Sequence, residues 1–448
     1  MLSRSITTVH ATALVVGIIV GASIFVQPSV ITGTVPTVAG VYTVWAISGV
    51  LTLFGALIAA ELASAYPQAG GVYVFLREAY SPAVGFLWGW AMFWTMHTGI
   101  IAAIATVFAR YVGFFLPIGD LGLRALAAAA IVVLTAVNYV GVRQGSLVQT
   151  TFTALKLVAI AAIIVAAFLF RRADPCSTTP TLGFATGCVS SATTTVSKVP
   201  LAVVAGLFAF GGWHMVTYAA EETRDPEKTI PRALVIGVAI VTLCYIALNA
   251  AYFHVLRPAQ IASSTRVAAD AADVVLGTGG AAFMSLVVAV STFGALNGVI
   301  LSGPRAYLAM ARDRLLVSWA AAIHPRFQTP HRAILLQGLW AVILVSTGTY
   351  RALFTRVVYT EWLFFALMAA GLFRLRPRAA YRPAYRVWGY PVVPIIFILS
   401  SAYIVGNQIV AEPAQSLTGL AFVAAGLPVY WLFVRKSPLS PPSPQHAD

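Results

Sequence analysis

The sequence predicts an all-α integral membrane protein with about twelve transmembrane helices, and three observations support this fold class. Of the 448 residues, 59% are hydrophobic and only 9% are charged, whereas soluble domains carry about 25% charged residues. The mean hydropathy is +0.86. Apolar runs long enough to cross ~30 Å of hydrocarbon recur along the whole chain, and no long polar block interrupts them. The chain therefore requires a lipid bilayer as its solvent, and membrane lipid is an expected partner.

The apolar segments are numbered as spans 1 to 12 in chain order. Their approximate ranges are 11–32, 38–65, 82–116, 123–142, 147–170, 199–222, 231–255, 279–311, 332–349, 352–374, 390–410 and 415–434. Span 1 has no small-residue cleavage site, so we interpret it as a retained helix and not as a signal peptide. An even number of spans places both termini on one side of the membrane.

The basic residues indicate which side that is. The formal net charge is +14, and most arginines and lysines fall in the connections that share a side with the termini. The run "RLRPRAAYRPAYR" in 374–386 is the densest example, and we interpret it as an orientation signal beside anionic lipid. The positive-inside rule then predicts cytoplasmic termini for a multi-pass protein of the cell membrane. No aromatic-basic RNA-binding pattern accompanies the charge, so no nucleic-acid partner is expected.

Two spans contain residues that weaken a helix. Span 1 carries "GIIVGASIFVQP", with Gly17, Gly21 and Pro28, and span 6 carries "GLFAFGGWHMVTYAAEE", with Gly211 and Gly212. Glycine and proline are poor helix formers, and unwound backbone inside a membrane is tolerated only where it is buried in protein or lines a wet cavity. The Gly17-x-x-x-Gly21 spacing alone also fits close helix packing. The coincidence with Gly211 and Gly212 five spans later favours two broken helices.

Broken spans in corresponding positions indicate a transporter built from two inverted repeats. We expect a first repeat at 1–170 (spans 1 to 5), a second at 171–374 (spans 6 to 10), two additional spans at 375–436 and a disordered cytoplasmic tail at 437–448. The half-helix ends would offer partial positive charge to a carboxylate and free carbonyls to an ammonium. An amino acid zwitterion satisfies both.

Five segments in order resemble the amino acid–polyamine–organocation superfamily and, within it, the L-amino acid transporter branch. They are "GIIVGASIF", "PQAGGVYVFLREAYSPAVGFLWGW", "FTALKLVAI", "FAFGGWHMVTYAAEETRDPEKTIPRAL" and "STFGALNG". The resemblance covers roughly residues 10 to 435. It implies the LeuT-type 5+5 inverted repeat with two extra C-terminal helices, and the transport of amino acids.

The resemblance also implies site residues. The substrate-binding residues would be Ile19, Gly21, Ala22, Ser23 and Ile24 in span 1, and Phe208, Ala209, Phe210 and Gly211 in span 6. Phe208 matches an aromatic lid, and Gly211 matches the small residue that opens room for a side chain. The branch usually has Gly-Ser-Gly where this chain has Gly-Ala-Ser, which alters the expected shape of the pocket. Mammalian members bind a heavy subunit through a cysteine between spans 3 and 4. The corresponding "FFLPIGDLGLR" has none, so we expect a stand-alone carrier.

Lys156 lies about midway through span 5, where a charge costs at least ~2.5 kcal/mol on insertion scales and is functional by default. In the sodium-independent carriers that the chain resembles, a lysine here occupies the place of a sodium ion. Its ammonium would pin the carbonyls of span 1 to span 5. The sequence does not separate such a fixed strut from a proton carrier.

The remaining polar residues bear on the substrate class and on the packing of the spans. Neither broken segment contains an arginine or a nearby acidic residue apart from Glu221 and Glu222, which favours neutral amino acids. Asn297 either donates to the broken helices or holds spans together. Cys176 and Cys188 share an external loop in which a disulfide can persist.

An enzyme would need a catalytic cluster, and the sequence has no Gly-x-Ser-x-Gly, no His-Glu-x-x-His and no aspartate pair within a span. We therefore predict a sodium-independent amino acid exchanger, with proton-coupled symport as the alternative, and no cofactor or metal.

Overall fold

The structure, a computed structural model, describes residues 2–21, 23–169, 198–264, 266–348 and 359–434. These residues form helices and connections, with one isolated β-bridge. The spans have the following bounds: span 1, Thr8–Ile19 and Ser23–Thr34; span 2, Val38–Ala65; span 3, Pro82–Val112; span 4, Asp120–Val140; span 5, Val142–Leu169; span 6, Val199–Ala209 and the 3₁₀ helix Trp213–Glu222; span 7, Pro226–Val255; span 8, Gly280–Ser302; span 9, His331–Thr347; span 10, Thr360–Leu375; span 11, Val392–Ala411; span 12, Pro413–Ala424 and Gly426–Val434.

Four shorter α-helices connect the spans within the described residues. They are Val72–Ala79 before span 3, Pro258–Ser263 and Val267–Leu276 between spans 7 and 8, and Pro304–Arg312 after span 8. The sequence-predicted span 8, residues 279–311, is interrupted at Gly303, because Pro304 begins the helix that follows.

The number of spans agrees with the sequence. In the part of the chain that the structure describes, nine helices are long and apolar enough to cross a membrane, or ten when the bent pair of span 1 is counted as one. Spans 9 and 10 are shorter helices of 17 and 16 residues. Together these helices account for the predicted twelve spans, and the all-helical membrane fold is confirmed.

Both predicted breaks are present. The two helices of span 1 are bent by 48° relative to each other. In span 6 the helix stops at Ala209, and Gly212 has a φ of +94°. Glycine adopts this left-handed conformation without steric cost, whereas residues with a Cβ rarely do. Glycine at position 212 therefore permits the break in span 6.

Close packing fixes the first half of span 1 in the bundle, where it packs against spans 5, 7 and 8. A Cβ at Gly17 would lie 2.0 Å from Gln149 Nε2 and 2.3 Å from Thr153 Oγ1, both on span 5. Gly17 is thus required for close approach between helices, which is the packing explanation that the Gly-x-x-x-Gly spacing left open.

The N-terminal segment closes one end of the bundle. Ile6 forms a parallel β-bridge with Thr223 at the end of span 6. The Ile6 amide donates to the Glu222 carbonyl at 3.0 Å, and the Arg224 amide donates to the Ile6 carbonyl at 2.9 Å. Beside this bridge, the buried Glu222 carboxylate accepts two hydrogen bonds from the Arg305 guanidinium, at 2.7 and 3.0 Å. These contacts join the N-terminal segment, the end of span 6 and the helix Pro304–Arg312.

Candidate functional site

The two breaks meet in the middle of the bundle. The Tyr245 hydroxyl of span 7 lies 3.0 Å from the Ile19 carbonyl oxygen and 3.0 Å from the Ala209 carbonyl oxygen. These carbonyls end the first helix of span 1 and the first helix of span 6. A tyrosine has one hydroxyl proton, so Tyr245 donates to one of them at a time. The other carbonyl stays available as an acceptor.

Both N-terminal and C-terminal helix ends lie around this point. The first helices of spans 1 and 6 end here, and Ser23–Thr34 and Trp213–Glu222 begin here. A helix carries partial positive charge at its N-terminus and partial negative charge at its C-terminus. An anionic group and a cationic group held a few ångströms apart therefore both find complementary charge at the breaks.

The predicted binding residues fall into two groups by exposure. Phe208 is 45% exposed and Gly211 is also exposed, whereas Ser23 is half-buried. The side chains of Ile19, Ile24, Ala209 and Phe210 are buried, as is Gly21. Phe208 and Gly211 thus border accessible space, whereas the buried residues supply backbone and packing. Ala22, Cys176 and Cys188 lie outside the described residues.

Lys156 is fully buried and lies beside the break in span 1. Its ammonium donates to three backbone carbonyls: Gly17 at 2.9 Å, Val20 at 2.7 Å and Ser291 at 2.9 Å. An ammonium has three donors, so each donor has an acceptor. Gly17 and Val20 belong to span 1, and Ser291 belongs to span 8. The cation therefore joins three spans, one more than the sequence indicated.

A network of buried side chains extends from this point. The Ser291 hydroxyl also donates to the Val20 carbonyl, at 3.1 Å. Asn297 donates to the Gly145 carbonyl and to Gln149 Oε1, and it accepts from Asn138. Asn297 therefore holds spans 4, 5 and 8 together, the second of the two roles considered for it.

Three residues of this region were not predicted from the sequence. Tyr245 lies in an apolar span outside the five segments, and Ser291 begins the segment "STFGALNG" but was given no role, so only the fold reveals their partners. Glu361 begins span 10, far along the chain from either break, but its Oε1 lies 3.5 Å from His214 Nε2. An acidic residue therefore does lie near the broken segments, which corrects the expectation drawn from the sequence. Among the described residues, no group of three or more metal-ligating side chains is present.

Comparison with known proteins assigns this arrangement to a family. Residues 6–434 match the model of the family described as amino acid permease. The chain is 32% identical over 439 residues to the b(0,+)-type amino acid transporter 1 of Mus musculus, covering 97% of this chain and 88% of the relative.

Two further relatives have other substrates in their names. The cystine/glutamate transporter of Homo sapiens is 30% identical over 438 residues, covering 97% of this chain and 86% of the relative. The large neutral amino acids transporter small subunit 2 of Oryctolagus cuniculus is 33% identical over 440 residues, covering 97% and 81%. These similarities confirm the prediction of an amino acid transporter that is not an enzyme. The chain belongs to the amino acid permease family, in the L-amino acid transporter branch of the amino acid–polyamine–organocation superfamily.

Proposed function

We propose that the protein exchanges neutral L-amino acids across the cell membrane by alternating access and without sodium. The observation that supports this most directly is Lys156, whose ammonium joins Gly17, Val20 and Ser291 beside the break in span 1. The Lys156 ammonium already donates to the carbonyls at the end of the first helix of span 1. The carrier then needs no inorganic cation to hold the broken helix together.

The chemistry of the breaks supports an amino acid zwitterion as the substrate. The N-terminal ends of Ser23–Thr34 and Trp213–Glu222 attract a carboxylate, and the carbonyls of Ile19 and Ala209 accept from an ammonium. Neither broken segment supplies an arginine for a second carboxylate. The three relatives carry different substrates in their names, so we base the neutral class on the two broken segments, which contain no arginine and no acidic residue beside their glycines, and not on similarity.

We further propose that Ile19, Gly21, Ala22, Ser23 and Ile24 with Phe208, Ala209, Phe210 and Gly211 form the substrate site, and that Phe208 is its lid. The exposure of the Phe208 ring and of Gly211 supports this proposal. The carrier works without a covalently attached heavy subunit, because no cysteine occurs between spans 3 and 4. Its termini lie in the cytoplasm, where the positive-inside rule places them.

The test is a transport assay with purified protein in liposomes. We expect uptake of a radiolabelled neutral amino acid only when the lumen contains an amino acid, with the same rate after sodium is replaced by choline. Competition by all twenty amino acids then defines the substrate class. Net uptake into empty liposomes, driven by an imposed proton gradient, would instead identify a proton-coupled symporter.

A further inference from the structure

The connection between spans 10 and 11, residues 376–391, is folded around one buried carboxylate. Glu61, near the end of span 2, is 0% exposed. Its oxygens accept from the Arg376 guanidinium at 2.9 and 2.6 Å, from the Tyr381 hydroxyl at 3.2 Å and from the Val387 amide at 2.5 Å. A carboxylate accepts up to about four hydrogen bonds, so this one is fully used. Glu61 therefore fixes the course of the connection at three points.

Further contacts hold the connection between these points. The Tyr385 amide donates to the Ser64 hydroxyl of span 2 at 3.0 Å. The Arg378 guanidinium donates to the Glu78 carbonyl at 2.7 Å, at the end of the helix Val72–Ala79. The connection is thus held against span 2 and against this helix along most of its length.

The anchored residues alternate with exposed ones. Tyr381 and Val387 are buried, whereas their neighbours Arg382, Arg386 and Trp388 are exposed, Trp388 at 78%. The anchored side chains occupy the space against span 2, so the side chains between them face outward. The connection therefore presents two arginines and a tryptophan in positions that the fold holds in place.

This outer surface carries positive charge that the chain itself does not neutralise. The connection 376–391 contains four arginines and no acidic residue. Arg376 pairs with Glu61, but among the described residues no ion pair joins Arg382 or Arg386 to a carboxylate. A guanidinium presents its donors in a planar fork that matches the geometry of a phosphate. The charge and the donor geometry at this surface thus fit a phosphate-bearing anion.

The same surface adjoins the lipid-facing side of span 11. Val392, the first residue of span 11, is 58% exposed, and Leu399 is 64% exposed. Trp388 precedes this span by one turn's length of chain. Tryptophan is enriched at the level of the lipid headgroups, because its ring is apolar and its N–H is polar. The arginines therefore lie where hydrocarbon gives way to headgroups.

We propose that Arg382, Arg386 and Trp388 form a binding site for the headgroup of an anionic phospholipid. The phosphate accepts from the guanidinium groups, and the indole ring packs beside the lipid. The N-terminus of span 11 adds partial positive charge. A free phosphate would engage the arginines but leave Trp388 in water, so the surface is assigned to a lipid.

This site differs from the orientation signal that the sequence predicts for 374–386. An orientation signal needs only positive charge while the chain inserts, and its arginines need no fixed positions. A binding site in the folded protein needs its arginines held in place, and the contacts of Glu61 and Ser64 hold them. The two roles can therefore be separated by experiment.

The experiment measures lipid binding to the purified protein in detergent, so that its result does not depend on transport. Native mass spectrometry gives the dissociation constant of phosphatidylglycerol for the parent and for each variant. Phosphatidylcholine has the same phosphate but a compensating positive charge, and glycerol phosphate has the anion without acyl chains. These two ligands separate the contributions of charge and of the lipid chains.

In the parent we expect phosphatidylglycerol to bind more tightly than phosphatidylcholine. Arg382→Gln combined with Arg386→Gln should weaken phosphatidylglycerol binding by about 25-fold, or about fivefold for each arginine, and should weaken phosphatidylcholine binding less. The matched control combines Arg143→Gln with Arg326→Gln. It removes two exposed arginines from other connections that the span count places on the same side, and it should keep the parent's affinity.

Two further variants test the tryptophan and the anchoring. Trp388→Ala should weaken the binding of both lipids to a similar degree, because it removes an apolar contact and leaves the charge. Ser64→Ala removes the acceptor of the Tyr385 amide without changing any charge, and it should weaken phosphatidylglycerol binding severalfold. An unchanged affinity in Ser64→Ala would contradict a site held in fixed geometry.

Three other results would overturn the inference. Equal losses in the two arginine pairs would reduce the effect to general positive charge. Equal affinity of the parent for phosphatidylglycerol and phosphatidylcholine would show that the surface does not select an anionic headgroup. Displacement of phosphatidylglycerol by glycerol phosphate at similar concentrations would assign the arginines to a soluble phosphate and not to a lipid.

Discussion

At the scale of single residues, Lys156 has a role that substitution can test. In Lys156→Ala the carbonyls of Gly17, Val20 and Ser291 lose the ammonium that joins them, and a hydrogen bond to a charged group contributes about 1.5–3 kcal/mol. We expect a large loss of exchange and no rescue by sodium, because none of these acceptors is an acidic side chain. Exchange by the parent should depend little on a pH gradient if the ammonium is a strut. Gradient-driven accumulation by the parent, lost in Lys156→Ala, would identify a proton carrier.

Tyr245 is the second residue at this scale. Its hydroxyl lies 3.0 Å from both the Ile19 and the Ala209 carbonyl, so it couples the two breaks through one proton. Tyr245→Phe keeps the ring but removes this donor, which weakens the contact by about 1 kcal/mol. We expect a lower exchange rate with a nearly unchanged melting temperature, measured on the purified protein. The control is Tyr252→Phe on the same span, whose hydroxyl has no partner among the described residues. Equal rates for both variants would remove Tyr245 from the mechanism.

At the scale of elements, the glycines of the two breaks differ in whether their surroundings admit a Cβ atom. A Cβ at Gly211 would have one close neighbour, the Phe208 carbonyl oxygen at 3.3 Å, and a Cβ at Gly21 would lie 3.7 Å from the Ala295 Cβ. Gly211→Val and Gly21→Val should therefore fold but abolish exchange, because the added methyl groups occupy space that the substrate needs. In contrast, Gly17→Ala should reduce the amount of folded protein, since its Cβ would clash with Gln149. Near-normal uptake by either valine variant would exclude that glycine from the site.

Local features of the sequence predicted some parts of the fold and the site, but contacts between distant spans could not be predicted. Apolar length and Gly-Gly pairs are local features, so the spans and the break at Gly211 and Gly212 were predictable from the sequence. Lys156 was predictable as a functional residue because a charge in a span is costly wherever it lies. Ser291, Tyr245 and Glu361 were not, because their significance depends on partners more than a hundred residues away or on another span. No local pattern reports which spans meet.

At the scale of the whole molecule, alternating access requires the N-terminal end of the bundle to open. Two kinds of contact hold that end closed. The Ile6 bridge consists of two backbone hydrogen bonds to the end of span 6, each worth about 1 kcal/mol. The Glu222 and Arg305 pair is buried at 0% and 1% exposure, and breaking such a pair costs about 3–5 kcal/mol. We therefore expect the bridge to open during transport and the ion pair to remain formed.

We therefore expect substitutions in the bridge to change how often the bundle opens, and substitutions in the ion pair to change how much protein folds. Ile6→Pro lacks the amide that donates to the Glu222 carbonyl, so we expect the open state to become about fivefold more populated, as the loss of ~1 kcal/mol implies. The measurement is the rate at which a membrane-impermeant thiol reagent modifies Thr223→Cys, a position that is fully buried when the bridge is formed. Ile6→Val keeps both the amide and a buried aliphatic side chain, and its rate should match the parent. Glu222→Gln leaves Arg305 without its anion and should lower the yield of folded protein, which Arg305→Met in the same chain should restore. If Ile6→Pro leaves the labelling rate unchanged, the N-terminal segment is not the gate, and the bundle must open elsewhere.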